Sequence, residues 1–308
     1  MSRLKNLLFA IAAAGAFILW AETAPWDGEP FDWSTVAEQY PGIRHKSYSA
    51  AVPRPNKINI VRIDLKTPGL TFAVTPRGDN YGKPMPDYPK MNIATRRELT
   101  RDFMLKHRKA GRNMILAANT APWSPWCNPW THTYAANMGL LISDGVQVDC
   151  INKSNYRPVF YETKDGSYGM KIFQPGEDYS HLKNAVSGFF FDLLDGKVVE
   201  IQHRLMPCCS FGLDKDGRYL YIIIVDGRQK GFSEGATSIE MGKFLKKLGA
   251  HNGIYMDGGG SATLTVWDPE GKFSGFKKPH ESGTHTLNHQ PRAKERLVGC
   301  NVGFYYAE

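Results

Sequence analysis

Hydrophobic residues recur along the chain in patterns that predict mostly strands. Residues 57–65 (KINIVRIDL) alternate apolar and polar side chains, which is typical of a half-buried strand. Residues 113–118 (NMILAA) and 219–225 (YLYIIIV) are apolar runs typical of strands covered on both faces. Within 139–218, short apolar runs flank Asp-Gly pairs, which predicts hairpins, and 295–306 is interpreted as a last strand.

Two helices are predicted, at 94–112 and 237–249, because each stretch begins with a Thr-x-x-Glu capping box and ends near a glycine. The capping box satisfies free backbone N–H groups at a helix start, and glycine suits the left-handed conformation at a helix end. The residues concerned are Thr95, Glu98 and Gly111 in the first helix and Thr237, Glu240 and Gly249 in the second.

The second helix separates the strand at 219–225 from a strand at 253–256, an order that predicts a βαβ unit with parallel strands and a right-handed crossover. Asp226 and Asp257 follow these strands, so both are expected at the same carboxyl edge, where open α/β sheets bind ligands. The predicted fold class is α/β, or mixed α+β, as a single domain with a large mixed sheet and its active site at the strand ends.

The chain divides into three predicted segments. Residues 1–21 resemble a signal peptide, with two basic residues before about fifteen apolar ones, and residues 22–56 form an irregular lead-in. Residues 57–308 form the domain, which includes a long proline-rich loop at 75–90. A secreted or periplasmic protein is expected, without a membrane span once the signal is removed; an uncleaved anchor is the alternative.

Charge and cysteine content limit the function classes. The formal net charge of +8 becomes +6 without the two basic residues of the signal segment, and the positive charges are scattered without a nucleic-acid motif. A solvated basic surface or an attraction to anionic polymers explains this charge. No CxxC spacing indicates a zinc site, and an odd number leaves at least one of the five cysteines unpaired: Cys127, Cys150, Cys208, Cys209 and Cys300.

The segment DGGGS carries the strongest chemical signal. Asp257 supplies a carboxylate for acid/base work, a cation or a sugar hydroxyl, and Ser261 supplies a hydroxyl donor. Gly258, Gly259 and Gly260 let the backbone approach a ligand and offer N–H groups to an anion. The structural alternative is a tight hairpin or bulge with a turn aspartate.

The segment 226–240 (DGRQKGFSEGATSIE) is the expected partner of this turn. Arg228 suits a phosphate, and Ser233 and Thr237 precede a helix N-terminus, which is a favourable place for an anion. Each residue also has a structural explanation: Asp226 as a turn residue, Arg228 as a surface ion pair, and Thr237 with Glu240 as the capping box.

Asn119 ends a predicted strand and is expected at the same edge as a substrate contact. A tryptophan-rich stretch follows it, in which Trp123, Trp126 and Trp130 lie within eight residues among prolines. A loop surface that stacks on a sugar is one interpretation, and packing in the core is the alternative for each tryptophan.

Residues 226–264, from DGR to DGGGSATL, resemble the signature of the phosphodiester glycosidase family, and weaker similarities extend over 58–306. Relatives often have Pro-Arg-Thr where this chain has Pro207, Cys208 and Cys209, so one arginine is missing. The nearby residues His203 and Arg204 are candidates to replace it.

The resemblance implies hydrolysis of an α-linked (N-acetyl)hexosamine or other sugar from a sugar-1-phosphodiester, with a phosphate-linked glycan as the substrate. Glycoside hydrolysis commonly uses two carboxylates, for which Asp226 and Asp257 are the first candidates and Glu240 the third. Arg228, Arg296 and the glycine N–H groups are expected to stabilise the phosphate. The alternatives are a metal-dependent phosphoesterase with a divalent cation and a non-catalytic phosphoglycan-binding protein; no other cofactor is indicated.

Overall fold

The computed structural model describes residues 23–127, 130–149 and 156–307, so the predicted signal peptide at 1–21 lies outside the described residues. Its two α-helices are α1 (Thr100–Lys109) and α2 (Ser238–Leu248). The strands in chain order are β1 (Glu38–Tyr40), β2 (Ile43–Ala50), β3 (Asn56–Asp64), β4 (Leu70–Val74), β5 (Thr95–Arg96), β6 (Asn113–Asn119), β7 (Trp123–Ser124), β8 (Tyr134–Asn137), β9 (Leu141–Ser143), β10 (Val146–Asp149), β11 (Pro158–Thr163), β12 (Tyr168–Ile172), β13 (Leu182–Ser187), β14 (Phe190–Leu194), β15 (Lys197–Val198), β16 (Cys208–Leu213), β17 (Tyr219–Val225), β18 (Asn252–Tyr255), β19 (Leu264–Trp267), β20 (Thr284–Thr286) and β21 (Asn301–Tyr306).

Hydrogen bonds join these strands into an eight-stranded sheet (β1-β2-β3-β17-β16-β18-β14-β15), two five-stranded sheets (β20-β19-β6-β21-β4 and β10-β9-β13-β11-β12) and a three-stranded sheet (β5-β8-β7). Every pairing between these strands is antiparallel. The prediction of a mixed sheet is therefore wrong, and the chain is an α+β protein in which strands predominate.

The predicted βαβ unit has a third strand inserted into it. β17 and β18 are both antiparallel to β16, which lies between them, so β17 and β18 run in the same direction without pairing. This is a split βαβ arrangement with α2 as the connection. Because the direction is shared, Asp226 after β17 and Asp257 after β18 do lie at the carboxyl ends of like-oriented strands.

The predicted burial of β17 on both faces is confirmed. Its even-numbered residues face the main core between the sheets, and its odd-numbered residues face α2 on the outside of the eight-stranded sheet. The two sets are Leu220, Ile222 and Ile224 in the main core, and Tyr221, Ile223 and Val225 beneath α2. One face of the five-stranded sheet that contains β6 and β21 is covered by α1, which packs Phe103 and Met104 against residues of these two strands.

The boundaries of α2 follow the sequence prediction. Thr237 is the N-cap, with both bonds of its capping box to Glu240 present, and Gly249 ends the helix in a left-handed conformation with φ of 110°. Gly242 lets the helix touch β14, because a Cβ there would lie 2.1 Å from the Asp192 carbonyl oxygen. A helix with a larger residue at this position would be forced away from the sheet.

The first predicted helix is shorter than expected, and its capping box is wrong. Thr95 lies in β5 instead, and its hydroxyl donates to the Gly299 carbonyl oxygen at 2.7 Å. Glu98 pairs with Lys106, and the helix begins only at Thr100. The Thr95 hydroxyl therefore bonds to Gly299, which is far away in the sequence, instead of capping the helix as predicted.

The prediction of an irregular lead-in over 22–56 is wrong for its second half, where β1 and β2 join the eight-stranded sheet. Its first half packs on the end of α2. The Trp33 indole donates to the Leu248 carbonyl oxygen at 3.0 Å, and the Phe31 N–H donates to that of Lys247 at 2.9 Å. These bonds satisfy carbonyl groups that a helix end leaves unpaired.

Residues 75–90 contain no helix or strand, as predicted. Cys127, Cys208, Cys209 and Cys300 carry free thiols, and Cys150 lies outside the described residues. Among the helices of the described segments, none has the length and apolar character required to cross a membrane.

Asp192 couples the stability of the layer beneath α2 to pH. It is fully buried on β14, where the Ser210 hydroxyl donates to one of its carboxyl oxygens at 2.6 Å. Burial raises the pKa of Asp192 to about 7, and the Ser210 hydrogen bond only partly opposes this shift. The folded protein therefore holds a proton that the unfolded chain releases above about pH 4.

We expect the free energy of unfolding to fall as pH rises from about 4 to about 7, by up to about 1.4 kcal/mol per pH unit from Asp192 alone. In Asp192→Asn this dependence becomes shallower, because the titrating group is gone. Urea denaturation across this pH range measures it, with the exposed Asp216→Asn variant as the control. An unchanged slope in Asp192→Asn would contradict the assignment.

Candidate active site

The turn at residues 257–261, here called the glycine turn, connects two different sheets. The chain leaves the eight-stranded sheet at β18 and enters a five-stranded sheet at β19, so the turn is not the hairpin that the structural alternative supposed. Asn119, at the end of β6, donates its amide to the Asp257 carbonyl oxygen at 2.6 Å and accepts from the Thr263 N–H at 2.9 Å. The Asp257 N–H donates to the Thr120 carbonyl oxygen at 2.8 Å. Both ends of the turn are thus fixed by the end of β6.

The glycines are required by close contacts. A Cβ on Gly258 would lie 2.7 Å from the Pro207 carbonyl oxygen, and one on Gly260 would lie 2.6 Å from an Arg296 guanidinium nitrogen. Gly259 has φ of 61°, a left-handed conformation that favours glycine. A side chain at any of the three positions would displace a neighbour or strain the backbone.

The turn offers fewer free N–H groups than the sequence suggested. The Gly259 N–H donates to the Pro207 carbonyl oxygen at 2.8 Å, and the Ser261 N–H donates to that of Gly258 at 3.1 Å. Only Gly260 within the turn's three-residue 3-10 helix keeps an N–H without an acceptor among the described residues. The side chains around the turn, rather than its amides, therefore dominate its anion chemistry.

Asp257 is a buried carboxyl whose pKa lies close to neutral pH. It is 4% exposed, and one of its oxygens accepts from the Trp123 indole N–H at 3.1 Å. Burial raises the pKa of Asp257 to about 6, while the Ser261 hydroxyl, the Arg296 charge and the Trp123 indole oppose the shift. A carboxyl with this pKa can exchange a proton at physiological pH.

Two arginines flank the turn with their charges uncommitted. A Cβ placed on Gly259 would lie 3.3 Å from an Arg228 guanidinium nitrogen, and one placed on Gly260 would lie 2.6 Å from an Arg296 guanidinium nitrogen. Among the described residues, neither guanidinium forms a hydrogen bond or ion pair, although Arg296 stacks over the Trp130 ring at 4.7 Å. Arg228 is exposed and has φ of 60°, a conformation that is unusual for a residue with a side chain. Two such groups beside a glycine turn form an anion-binding site.

Asp226 lies at the expected strand end, but its carboxyl group is hydrogen-bonded to other residues of the protein. Both carboxyl oxygens accept from the His289 N–H, at 3.0 and 2.8 Å, and one also accepts from the Asn288 amide at 3.1 Å. Burial raises the pKa of Asp226 to about 7 against these hydrogen bonds. The Asn288 amide also reaches the Ala262 carbonyl oxygen at 3.0 Å, which links Asp226 to the glycine turn indirectly.

The remaining candidates of the 226–240 segment have structural contacts. The Ser233 hydroxyl donates to the Asp226 carbonyl oxygen at 2.6 Å and accepts from the Lys57 N–H at 2.9 Å. One Glu240 oxygen accepts from the Thr237 N–H at 2.8 Å and pairs with Arg54. The capping-box explanation of Thr237 and Glu240 thus accounts for both residues.

The three tryptophans do not form one uniform wall. Trp123 is 2% exposed and donates a hydrogen bond to Asp257, whereas Trp126 is 59% exposed. Trp130 lies between them, with ring-centre distances of 5.9 Å to Trp123 and 6.4 Å to Trp126. The core-packing alternative is correct for Trp123, and only Trp126 presents a largely open ring.

His289 is a residue of the site that the sequence does not indicate, because its segment shows neither periodicity nor a recognisable motif. Gln229 donates its amide to the His289 carbonyl oxygen at 2.8 Å and to that of Gly227 at 3.4 Å, so its own amide oxygen must accept. The His289 Nδ1, 2.7 Å from that oxygen, is therefore the protonated ring nitrogen. Burial and the Lys277 charge lower the pKa of His289, which favours the neutral ring.

Within the described ranges, no group of three or more His, Cys, Asp or Glu side chains is arranged to hold a metal ion. The described site therefore combines one buried carboxyl, two open guanidinium groups and an aromatic flank. This combination suits a substrate that carries both an anion and a centre that becomes positively charged during reaction.

A family model described as phosphodiester glycosidase matches residues 127–305, more than half of the chain. The zebrafish N-acetylglucosamine-1-phosphodiester alpha-N-acetylglucosaminidase catalytic domain, auto-inhibited by pro-peptide, is 18% identical, with a TM-score of 0.59 over 89% of this chain and 87% of that chain. A hypothetical protein from Synechocystis is 11% identical, with a TM-score of 0.53 over 86% of this chain and 62% of that chain. At these identities the structures share the fold, and no curated protein sequence matches significantly.

We expect Trp123→Phe to raise the pKa of Asp257 above about 6, because the ionised carboxylate loses the indole donor. A pH titration of carbon-13-labelled aspartate by NMR measures this change. Trp126→Phe is the matched control, since Trp126 makes no hydrogen bond to Asp257. A pKa that stays constant or falls in Trp123→Phe would show that the indole does not stabilise the charged form.

Proposed function

The chain belongs to the phosphodiester glycosidase family, and on that premise we propose that it hydrolyses a sugar-1-phosphodiester at the anomeric carbon. The products are a free sugar and a phosphomonoester. The name of the zebrafish enzyme specifies an α-linked N-acetylglucosamine 1-phosphodiester, and we extend to this chain an α-linked N-acetylhexosamine or a related sugar. Export by the 1–21 segment remains part of the proposal, as does a phosphate-linked glycan as the substrate.

One observation carries the proposal: a buried carboxyl with a pKa of about 6 lies beside two guanidinium groups that form no hydrogen bond or ion pair with any described residue. Unpaired cations at the rim of a site favour an anionic ligand, and the phosphodiester provides it. The Asp257 carboxyl lies deeper than either arginine, which suits an order with the sugar inside and the phosphate outside.

The proposed reaction does not require a general acid to protonate the leaving phosphate. Water attacks the anomeric carbon as the bond from that carbon to the phosphate oxygen breaks, and the bonding electrons move onto the phosphate. Ionised Asp257 stabilises the developing oxocarbenium charge and takes the proton from the attacking water. Arg228 and Arg296 stabilise the charge on the departing phosphate, so no second carboxyl is needed to protonate it.

Asp226 has a positioning role in this proposal. Both of its oxygens accept from the His289 N–H and one also accepts from the Asn288 amide, so it holds the 288–289 segment against the glycine turn instead of meeting the substrate. Asn119, Ser233 and Thr237 likewise fix backbone segments around the site. The substrate contacts are assigned to Arg228, Arg296, the Gly260 N–H and the aromatic flank.

Incubation with sugar-1-phosphodiesters in oxygen-18 water, with and without a chelator, tests the proposal directly. We expect the label in the anomeric hydroxyl of the released sugar, and about 10²–10⁴-fold slower turnover in Asp257→Asn, because the proton acceptor is lost. The exposed Lys164→Ala variant is the control and keeps normal turnover.

Label in the phosphate, together with loss of turnover on chelation, would instead identify a metal-dependent phosphoesterase. Tight binding of phosphodiesters without turnover, unchanged in Asp257→Asn, would identify a non-catalytic binding protein.

We expect Glu240→Gln to retain kcat and to lower the free energy of unfolding by about 1 kcal/mol, because the ion pair with Arg54 is lost while the glutamine oxygen still accepts from the Thr237 N–H of the capping box. Steady-state kinetics and urea denaturation on the same preparation separate the two effects. A large fall in kcat at normal stability would return Glu240 to the set of catalytic residues.

A further inference from the structure

Arg97 is a buried cation close to the candidate active site. It directly follows β5 and is 4% exposed. Its neighbour Arg96 is exposed and pairs with Asp79, whereas no carboxylate in the described part of the chain lies within ion-pair distance of Arg97. Burial lowers the pKa of Arg97 to about 10, so the guanidinium keeps its charge at neutral pH. An unpaired buried charge is costly, so packing alone does not account for an arginine at this position.

Three backbone carbonyl oxygens hold the Arg97 guanidinium in place. One terminal nitrogen donates to the oxygens of Trp130 at 3.2 Å and His132 at 2.6 Å, and the other donates to that of Leu297 at 2.9 Å. Leu297 directly follows Arg296, whose guanidinium stacks over the Trp130 ring. Arg97 therefore joins two segments that border the site.

The same guanidinium lies over the face of the Trp123 ring, with 4.4 Å between its central carbon and the ring centre. The indole N–H of Trp123 is the group that donates to the Asp257 carboxyl. A cation over an indole face attracts the electrons of the ring, and a polarised donor forms a stronger hydrogen bond in a buried network. The charge of Arg97 thus makes the indole N–H a better donor to ionised Asp257.

We propose that Arg97 is a positioning residue for the hydrolysis: it fixes the Trp123 indole and strengthens the hydrogen bond that this indole donates to Asp257. Arg97 acts through Trp123 and does not meet the substrate. Its catalytic meaning rests on the proposed function, in which only ionised Asp257 takes the proton from water. Its effect on the Asp257 carboxyl is a property of the free protein and is measured without substrate.

A double-mutant cycle followed by NMR of carbon-13-labelled aspartate tests the link. We expect Arg97→Met to raise the pKa of Asp257 by about half a pH unit, a roughly threefold fall in its ionisation constant. In Trp123→Phe the same substitution should change this pKa little, because the donor through which Arg97 acts is absent. Arg108→Met is the matched control, since Arg108 stacks at 3.8 Å over Trp267, at the far end of β19 from the glycine turn.

An equal rise in both backgrounds would show that Arg97 does not act through the indole, and no rise in either would show that it does not act on Asp257. Both results overturn the proposal.

Two more variants separate charge from structural support. Arg97→Lys keeps the charge, so we expect the pKa of Asp257 to stay near that of the wild type. Arg97→Gln keeps N–H donors for the carbonyl oxygens without the charge, so we expect it to behave as Arg97→Met. Urea denaturation of each variant measures stability alongside. If the pKa of Asp257 follows the loss of stability instead of the loss of charge, or if neither neutral variant folds, Arg97 is a structural residue only.

The pH dependence of kcat supplies a separate readout. Turnover requires ionised Asp257, so kcat falls as pH decreases through its pKa. We expect Arg97→Met to move this limb to higher pH, and a limb that stays in place while the NMR pKa rises would contradict the catalytic part. If no phosphodiester is turned over, the proposed hydrolysis fails, and the NMR cycle still decides whether Arg97 acts on Asp257.

Discussion

The site depends on one amide side chain that joins two sheets. Asn119 comes from a five-stranded sheet and bonds to backbone groups on both sides of a turn that leaves the eight-stranded sheet. Since both of its polar atoms are used within the buried interior, the amide fixes the turn's path with little freedom. The burial of Asp257, the approach of Arg296 to Gly260 and the Trp123 contact all follow from that path.

Three buried carboxyls show how surroundings, rather than residue type, distinguish structural from chemical groups. Burial raises the pKa of each one, to about 7 for Asp192 and Asp226 and to about 6 for Asp257. Asp192 meets a hydroxyl under a helix, and Asp226 meets backbone and amide donors that hold a loop. Asp257 alone among these three has an uncommitted guanidinium close by, so only its charge is coupled to an incoming anion.

The sequence predicted those features of the fold that depend on interactions between residues close together in the chain. The apolar run of β17, the capping box at Thr237 and the glycine end of α2 were predicted because neighbouring residues set them. The insertion of β16 between β17 and β18, the use of Thr95 by Gly299 and the indole contact of Trp123 depend on residues far along the chain. From the sequence, Asp257, Arg228 and Arg296 are candidates on the same footing as Asp226 and Glu240. The hydrogen bonds that occupy Asp226 and Glu240 appear only in the structure, because no spacing rule reveals their partners.

The long-range order of the eight-stranded sheet has a consequence for how the chain reaches its folded state. The hairpin of β2 and β3 is made early in synthesis, but β3 pairs with β17, and the adjoining β16 waits for β18. Trp33 and Phe31 dock only on the end of α2. Until β17 has emerged, the edge of β3 stays unpaired, and until α2 has emerged, the outer face of these first strands stays uncovered. Such a chain exposes binding sites for chaperones throughout most of its synthesis, because its first strands pair with strands that come late in the sequence.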